Sequence, residues 1–306
     1  MSQVEATSLI DDLAARIVAA NPTTAKMLRG SIAALSAEER HELEAYLAHV
    51  VEGGAEMAFV AEAYNTIVRD TLREQMFFRR NGRYRYARYD EVAGSVYLND
   101  DYMTRYMVGL AVTTFLWPNH LAIHRFFRQS IASAPAGDYL EIGPGHGVFF
   151  MTALRSGKFA RYLGVDLSPT SIAMTGALLS GGKFGTFSGY ELREADFLAA
   201  PLPEKSFSAV VMGEVLEHVE QPTQFMERIR ELAAPGGYVF ITTAINAPAV
   251  DHIYLFETPD QVRELAQGAG FAIEGEQTSP YIGMTLEETM AQRLPVNIAL
   301  QLKAPA

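Results

Sequence analysis

The chain contains no cysteine among its 306 residues. That absence excludes a disulfide framework, a thiolate metal centre and a cysteine nucleophile. Positive charge is also scarce: 25 Lys and Arg stand against 36 Asp and Glu, a formal net charge of −11. A nucleic-acid-binding surface spread over the whole chain is therefore disfavoured, although a local basic patch is not. Long hydrophobic runs are missing too. The longest, Met107 to Trp117, is too short to span a bilayer. The opening MSQVEATSLIDDLAARI places acidic residues where a secretory peptide carries positive ones, so the expected location is the cytoplasm. With 49% hydrophobic and 20% charged residues, the chain can bury a sizeable core and is not a disordered segment.

The pattern changes near Ser133-Ala-Pro-Ala-Gly137, which divides the chain into residues 1–135 and 136–306. In the first part Leu9, Ile10, Leu13, Ile17 and Val18 recur at helical spacing until Asn21-Pro22. Further helices are expected over 24–35, from a Ser36/Glu39 capping box to Gly53-Gly54, on to about Met76, and over 99–115 and 118–133. Between them, Asn81-Gly82 sits between two aromatic and basic runs, Phe77–Arg80 and Arg83–Tyr86, and predicts one β-hairpin. Charge divides with the pattern: 14 basic and 16 acidic residues precede 136, 11 and 20 follow. The second part predicts strands at 138–142, 161–165, 189–194, 207–212, 237–243, 271–277 and 296–303, with helices between the earlier ones. This alternation is that of an α/β, doubly wound, mainly parallel seven-stranded sheet with an antiparallel end.

The most informative segment is Asp138-Tyr-Leu-Glu-Ile-Gly-Pro-Gly-His-Gly147. Glycines are required where backbone turns sharply and lets a ligand approach to contact. Asp166 and Leu167 end the next strand, where a carboxylate can accept both hydroxyls of a ribose. Asp196 and Phe197 end the third, where they can meet the amine and face of a base. A nicotinamide dinucleotide would call for G-x-G-x-x-G and a pyrophosphate. Here the spacing is G-x-G-x-G, and Glu141 beside it would repel a pyrophosphate while suiting a cationic ligand.

Taken in order, Glu141, Gly143, Gly145, Gly147, Asp166, Asp196, the Phe207–Glu214 strand and Pro235-Gly236-Gly237 resemble class I S-adenosylmethionine (SAM)-dependent methyltransferases. The resemblance covers about 138–243. It implies a Rossmann-like methyltransferase fold, SAM as cofactor with S-adenosylhomocysteine as product, and cofactor contacts from those residues with Leu167, Phe197 and Glu214. It also implies that 1–135 form a helical lid or acceptor-binding region and 136–306 the SAM-binding domain. Methyl transfer from a sulfonium needs alignment and exclusion of water, and a base only where the acceptor carries a proton. His218 and His252 are the candidate catalytic residues. Tyr106, Trp117, His120, His124 and Tyr254 are the candidate acceptor contacts. Glu214, Glu217 and His218 form a run that holds a divalent cation in some quinone-pathway methyltransferases, though no metal is expected here. Arg79, Arg80, Arg83, Arg85 and Arg88 interleave with tyrosines, either as contacts for an anionic acceptor or as a solvated basic face. The expected reaction is O-methylation of a carboxylate or hydroxyl on a small molecule of specialised or cofactor metabolism. Alternatives are C- or N-methylation and SAM binding without catalysis. The expected partner is the small-molecule acceptor, with neither nucleic acid nor membrane; a homodimer stays open.

Overall fold

The computed structural model describes residues 8–306. Seven helices come first: α1 (Leu9–Ala20), α2 (Ala25–Ala34), α3 (Ala37–Glu52), α4 (Met57–Asn81), α5 (Tyr89–Ala93), α6 (Asp100–Leu116) and α7 (Pro118–Ser130). Their starts are written in short polar side chains. Ser8 accepts from the Asp11 N–H at 3.1 Å, Asn99 accepts from the Tyr102 N–H at 3.0 Å, and Ser36 and Glu39 close the reciprocal box expected of them. None of the described helices is long and apolar enough to cross a membrane.

The expected hairpin at Asn81-Gly82 is not formed. Helix α4 runs straight through Phe77–Arg80, and Gly82 ends it in the left-handed region, φ 69°, donating to the Phe78 carbonyl at 2.8 Å. Asn-Gly serves a helix C-terminus as well as a hairpin turn. What decides here is burial at helical spacing: Glu74 and Phe78 face inward, and residues 83–88 form no strand to pair with.

The sheet comprises β1 (Asp138–Ile142), β2 (Arg161–Asp166), β3 (Tyr190–Glu194), β4 (Phe207–Gly213), β5 (Ala233–Ile245), β6 (Ala272–Ser279) and β7 (Val296–Lys303). Helices α8 (Val148–Arg155), α9 (Pro169–Ser180), α10 (Pro222–Leu232), α11 (Pro259–Gly268) and α12 (Leu286–Ala291) connect them. The order is β3-β2-β1-β4-β5-β7-β6. The first five strands are parallel, and β7 runs antiparallel to both β5 and β6. The chain winds outward from β1 to β3, then returns to place β4 on the other side of β1. That reversal opens a crevice at the carboxyl ends of β1 and β4, where open α/β sheets take ligands.

The N-terminal helices share the sheet's core. Phe127 of α7 sits 5.1 Å, centroid to centroid, from Phe240 of β5, and Phe115, Leu116 and Phe127 belong to one cluster with Tyr139, Phe150 and Phe240. Ion pairs fasten the same seam. Buried Glu42 of α3 accepts from Arg128 of α7 at 2.9 Å and from Arg155 of α8, and Glu39 accepts from Arg125 at 2.6 and 2.7 Å. The Glu42 side chain is 2% exposed, whereas Arg128 and Arg155 are 23% and 35% exposed. The cost of breaking this triad therefore depends on which side is removed. Arg128→Ala with Arg155→Ala strands a buried carboxylate and is expected to cost about 3–5 kcal/mol of unfolding free energy. Glu42→Gln leaves two arginines that can rehydrate and is expected to cost clearly less. Denaturant melts of the two variants check the order; equal losses would contradict it.

Candidate active site

The turn after β1 is built by backbone geometry that only glycine adopts easily. Gly143, Gly145 and Gly147 have φ values of 67°, 55° and 80°. The Gly143 N–H donates to the Val165 carbonyl at 2.8 Å, and the Gly145 N–H donates to the Asp166 carboxylate at 3.1 Å. Asp166 also accepts from the Ser168 N–H at 2.9 Å, so each oxygen is anchored and each keeps a lone pair for a ligand. Burial raises the Asp166 pKa, and these backbone donors oppose the rise. Glu141 is buried beneath the turn and accepts from the Tyr139 hydroxyl. Burial, reinforced by the Asp166 charge, pushes its carboxyl up to about 8. Gly147 departs from its expected role. It lies outside the cavity lining, and a Cβ there would meet Thr175 at 2.9 Å. It starts α8 and lets α9 pack close.

A cavity of about 900 Å³ extends from this turn to the N-terminal helices, at the upper end of ordinary ligand sites. Glu141, Gly143, Gly145, Asp166, Leu167, Asp196, Phe197 and Glu214 line it, and so do Tyr106, Trp117 and His120, together with Ile67, Met107 and Leu110. Trp117 donates its indole N–H to the Tyr64 hydroxyl at 3.1 Å, and His120 meets Thr113 at 3.0 Å. Burial holds the His120 pKa down to about 4. Eight carboxylates line the cavity, namely Asp70, Glu141, Asp166, Asp196, Glu214, Glu217, Glu220 and Asp251, while no Lys or Arg does so among the described residues. The arginines of 79–88 lie outside it.

Two expected acceptor contacts are not there. His124 is fully buried between the Phe115 and Phe149 rings and bonds Thr152 at 3.0 Å. Burial lowers its pKa to about 3, and it is a core residue away from the cavity. Tyr254 also lies outside the lining. Its ring packs on Phe256 and its backbone N–H donates to the Glu217 carbonyl at 3.0 Å.

The polar centre of the cavity lies just past β4. His218 Nδ1 is 3.1 Å from the Asp251 carbonyl, which can only accept. The neutral ring therefore carries its proton on Nδ1 and leaves Nε2 as the lone-pair nitrogen. The Tyr97 hydroxyl, 3.0 Å from that Nδ1, then donates to Asp251 Oδ2 at 3.2 Å, and Tyr106 donates to Oδ1 at 3.1 Å. The same reasoning places the His252 proton on Nδ1, which donates to the Ala247 carbonyl at 2.5 Å. Burial pushes His252 down to about 3. The two rings stand at 87° with centroids 4.7 Å apart.

Glu214, a non-glycine residue at φ 51°, turns back to accept from Thr242 at 2.5 Å and Asn297 at 3.0 Å. Glu217 accepts from Thr243 at 2.7 Å, while its Oε1 is buried without a partner. Burial and the neighbouring Glu214 charge drive the Glu217 pKa upward. Donor atoms of Glu217, His218 and His252 lie within 4.8 Å of one another, a carboxylate and imidazole set that suits a divalent cation. The Glu214–Glu217–His218 run weighed from the sequence does not come together as a set: Glu214 is taken up by Thr242 and Asn297, and His252 joins Glu217 and His218 instead. Sequence reasoning missed Tyr97 and the role of Asp251. An acid beside His252 in a loop after a central strand was the one signal that pointed to Asp251.

Comparison with known proteins agrees with this geometry. A methyltransferase domain model matches residues 140–241. A ubiquinone biosynthesis O-methyltransferase from Nitrosospira multiformis is 28% identical over 188 residues, 55% of this chain and 76% of that protein. Its counterpart from Paraburkholderia phytofirmans is 36% identical over 104 residues, 34% of this chain and 43% of that protein. The chain spans about half the length, or less, of most of the curated relatives it matches. Among solved structures, a Haemonchus contortus phosphoethanolamine N-methyltransferase bound to SAM shares the fold at a TM-score of 0.52 and 14% identity, covering 72% of this chain and 61% of that one. The putative methyltransferase in a Haloferax volcanii complex with its Trm112 activator shares it at 0.51 and 16%, covering 69% and 97%. Residues 140–241 thus match a methyltransferase domain, and the chain, with this strand order, shares the fold of these methyltransferase structures.

Proposed function

We propose that this chain transfers the methyl group of SAM to a hydroxyl of a small, non-anionic acceptor, with His218 as the general base. The observation that carries the reading is the His218 ring, which lines the cavity just past β4 with Nδ1 bound to the Asp251 carbonyl and Nε2 without a hydrogen-bond partner among the described residues. Asp166, Asp196 and Phe197 would hold the adenosine of SAM, and the turn above Glu141 its cationic end. The helices within 1–135 close the acceptor end. The acceptor oxygen attacks the methyl carbon as the sulfur–methyl bond breaks, the hydroxyl proton passes to His218 Nε2, and neutral S-adenosylhomocysteine leaves. A carboxylate acceptor is disfavoured because eight acids line the cavity and no Lys or Arg does so among the described residues. The O-methyltransferase names of the curated relatives support the same choice. Metal assistance is the second reading, favoured by the unpartnered Glu217 Oε1. Glu217, His218 and His252 would hold the cation, which when bound lowers the pKa of an acceptor hydroxyl.

SAM formation of an ion pair with Glu141 requires that carboxyl to ionise. Its pKa of about 8 means that it is largely protonated at neutral pH, and a cationic ligand favours the deprotonated form. SAM affinity is therefore expected to rise with pH by up to about tenfold per unit below pH 8 and then level off. Glu141→Gln should remove that dependence, leaving only the contribution of the ligand's own amine. Titration calorimetry across the range reads this directly; identical slopes in the two proteins would discard the ion pair.

For the chemistry, His218→Ala is expected to lower acceptor turnover by about 10²–10⁴-fold with SAM affinity intact, and His252→Ala to act far less. The variant Glu217→Gln separates the two readings. Little loss of turnover and no bound metal in the purified protein fit a His218 base. A loss as deep as that of His218→Ala, together with stoichiometric metal in the wild type by elemental analysis, fits metal assistance.

A further inference from the structure

The stretch 69–88 carries seven arginines and two acids, a local charge of +5 in a chain of −11, and the proposed chemistry uses none of the arginines. Along α4, Arg69, Leu72, Arg73, Met76, Arg79 and Arg80 recur at intervals of three and four and share one outward arc of the helix. Glu74 and Phe78 point the opposite way, into the protein. Leu72 and Met76 are 58% and 56% exposed, unusually bare for large apolar side chains on a helix that also buries a face. Arg69 and Arg73 have acidic neighbours, whereas Arg79 and Arg80 make no ion pair among the described residues.

The arc abuts the cavity mouth. Leu72 belongs to both, and exposed Leu167, Tyr281 and Ile282 also line the cavity, giving it an apolar rim. An acidic protein or a nucleic acid would be met by arginines alone. Arginines alternating with exposed leucine and methionine, continuous with an apolar opening, match the region where anionic headgroups lie over acyl chains.

We propose that the outward face of α4 docks on an anionic lipid bilayer, laying the cavity mouth against the headgroups so that an apolar acceptor enters from the membrane. The docking stands on the helix face itself; only the delivery of acceptor rests on the proposed methyl transfer. The test is co-sedimentation of the full chain with unilamellar vesicles of phosphatidylcholine alone and of phosphatidylcholine with phosphatidylglycerol. The protein should pellet with the anionic vesicles, weaken in high salt, and stay in solution with the zwitterionic ones. Arg79→Gln with Arg80→Gln should lower the partition coefficient about 30-fold, from two surface arginines lost, and keep wild-type SAM affinity as a check on folding. Leu72→Ser with Met76→Ser should weaken binding at unchanged charge. No pelleting, equal pelleting with both vesicles, or retention in the arginine variant would overturn the proposal. So would an arginine-dependent dimer in sedimentation velocity without vesicle binding, which would assign the face to a second copy. Vesicle binding by a protein that turns over no SAM would leave the docking in place and remove the methyl-transfer reading alone.

Discussion

A carboxylate taken out of water must be given hydrogen bonds or lose its charge, and two solutions divide this molecule. Outside the cavity, buried acids meet arginine: Glu39 with Arg125, Glu42 with Arg128 and Arg155, and Glu74 with Arg73 and Arg85. Inside it, they meet hydroxyls and backbone N–H groups. Asp251 is held by Tyr97 and Tyr106, Glu141 by Tyr139, Glu217 by Thr243, and Asp166 by Gly145 and Ser168. The first solution fastens helices to the sheet. The second leaves carboxyl groups open to a cation that is not part of the protein.

The two solutions depend on each other through the seam between helices and sheet. Asp251 follows β5, yet the hydroxyls that hold it come from Tyr97 and from Tyr106 on α6. The seat of His218 is therefore complete only when the N-terminal helices are docked. The α3–α7–α8 ion pairs and the Phe127–Phe240 contact secure that docking at a distance from the chemistry. Stability and site geometry are thus coupled without sharing residues.

Much of the fold was legible because its signals are local. Short apolar strands bounded by helices, and a glycine turn whose backbone no other residue adopts cheaply, announce themselves in a few residues. The Ser36/Glu39 cap was visible for the same reason. The hairpin at Asn81-Gly82 failed because one dipeptide serves two kinds of chain ending, and the choice between them belongs to the burial of Glu74 and Phe78. His124 and Tyr254 failed differently. A helix or loop shows which residues are near a site but not which way each side chain turns, and these two turn into the core and out to the surface. Tyr97 and the meeting of Glu217 with His252 were out of reach, since each joins segments far apart in the chain. The acids at the strand ends could be read individually; that no cation accompanies them could be seen only once the lining was assembled.

That cation-free lining bears on turnover as well as on recognition. The sulfonium of SAM is positive, whereas the thioether of S-adenosylhomocysteine is neutral. Under the proposed transfer, a cavity lined by carboxylates and by no Lys or Arg among the described residues would lose attraction for the donor as the methyl group departs. The discharge of the sulfonium would then itself favour exchange of the spent product for a fresh molecule.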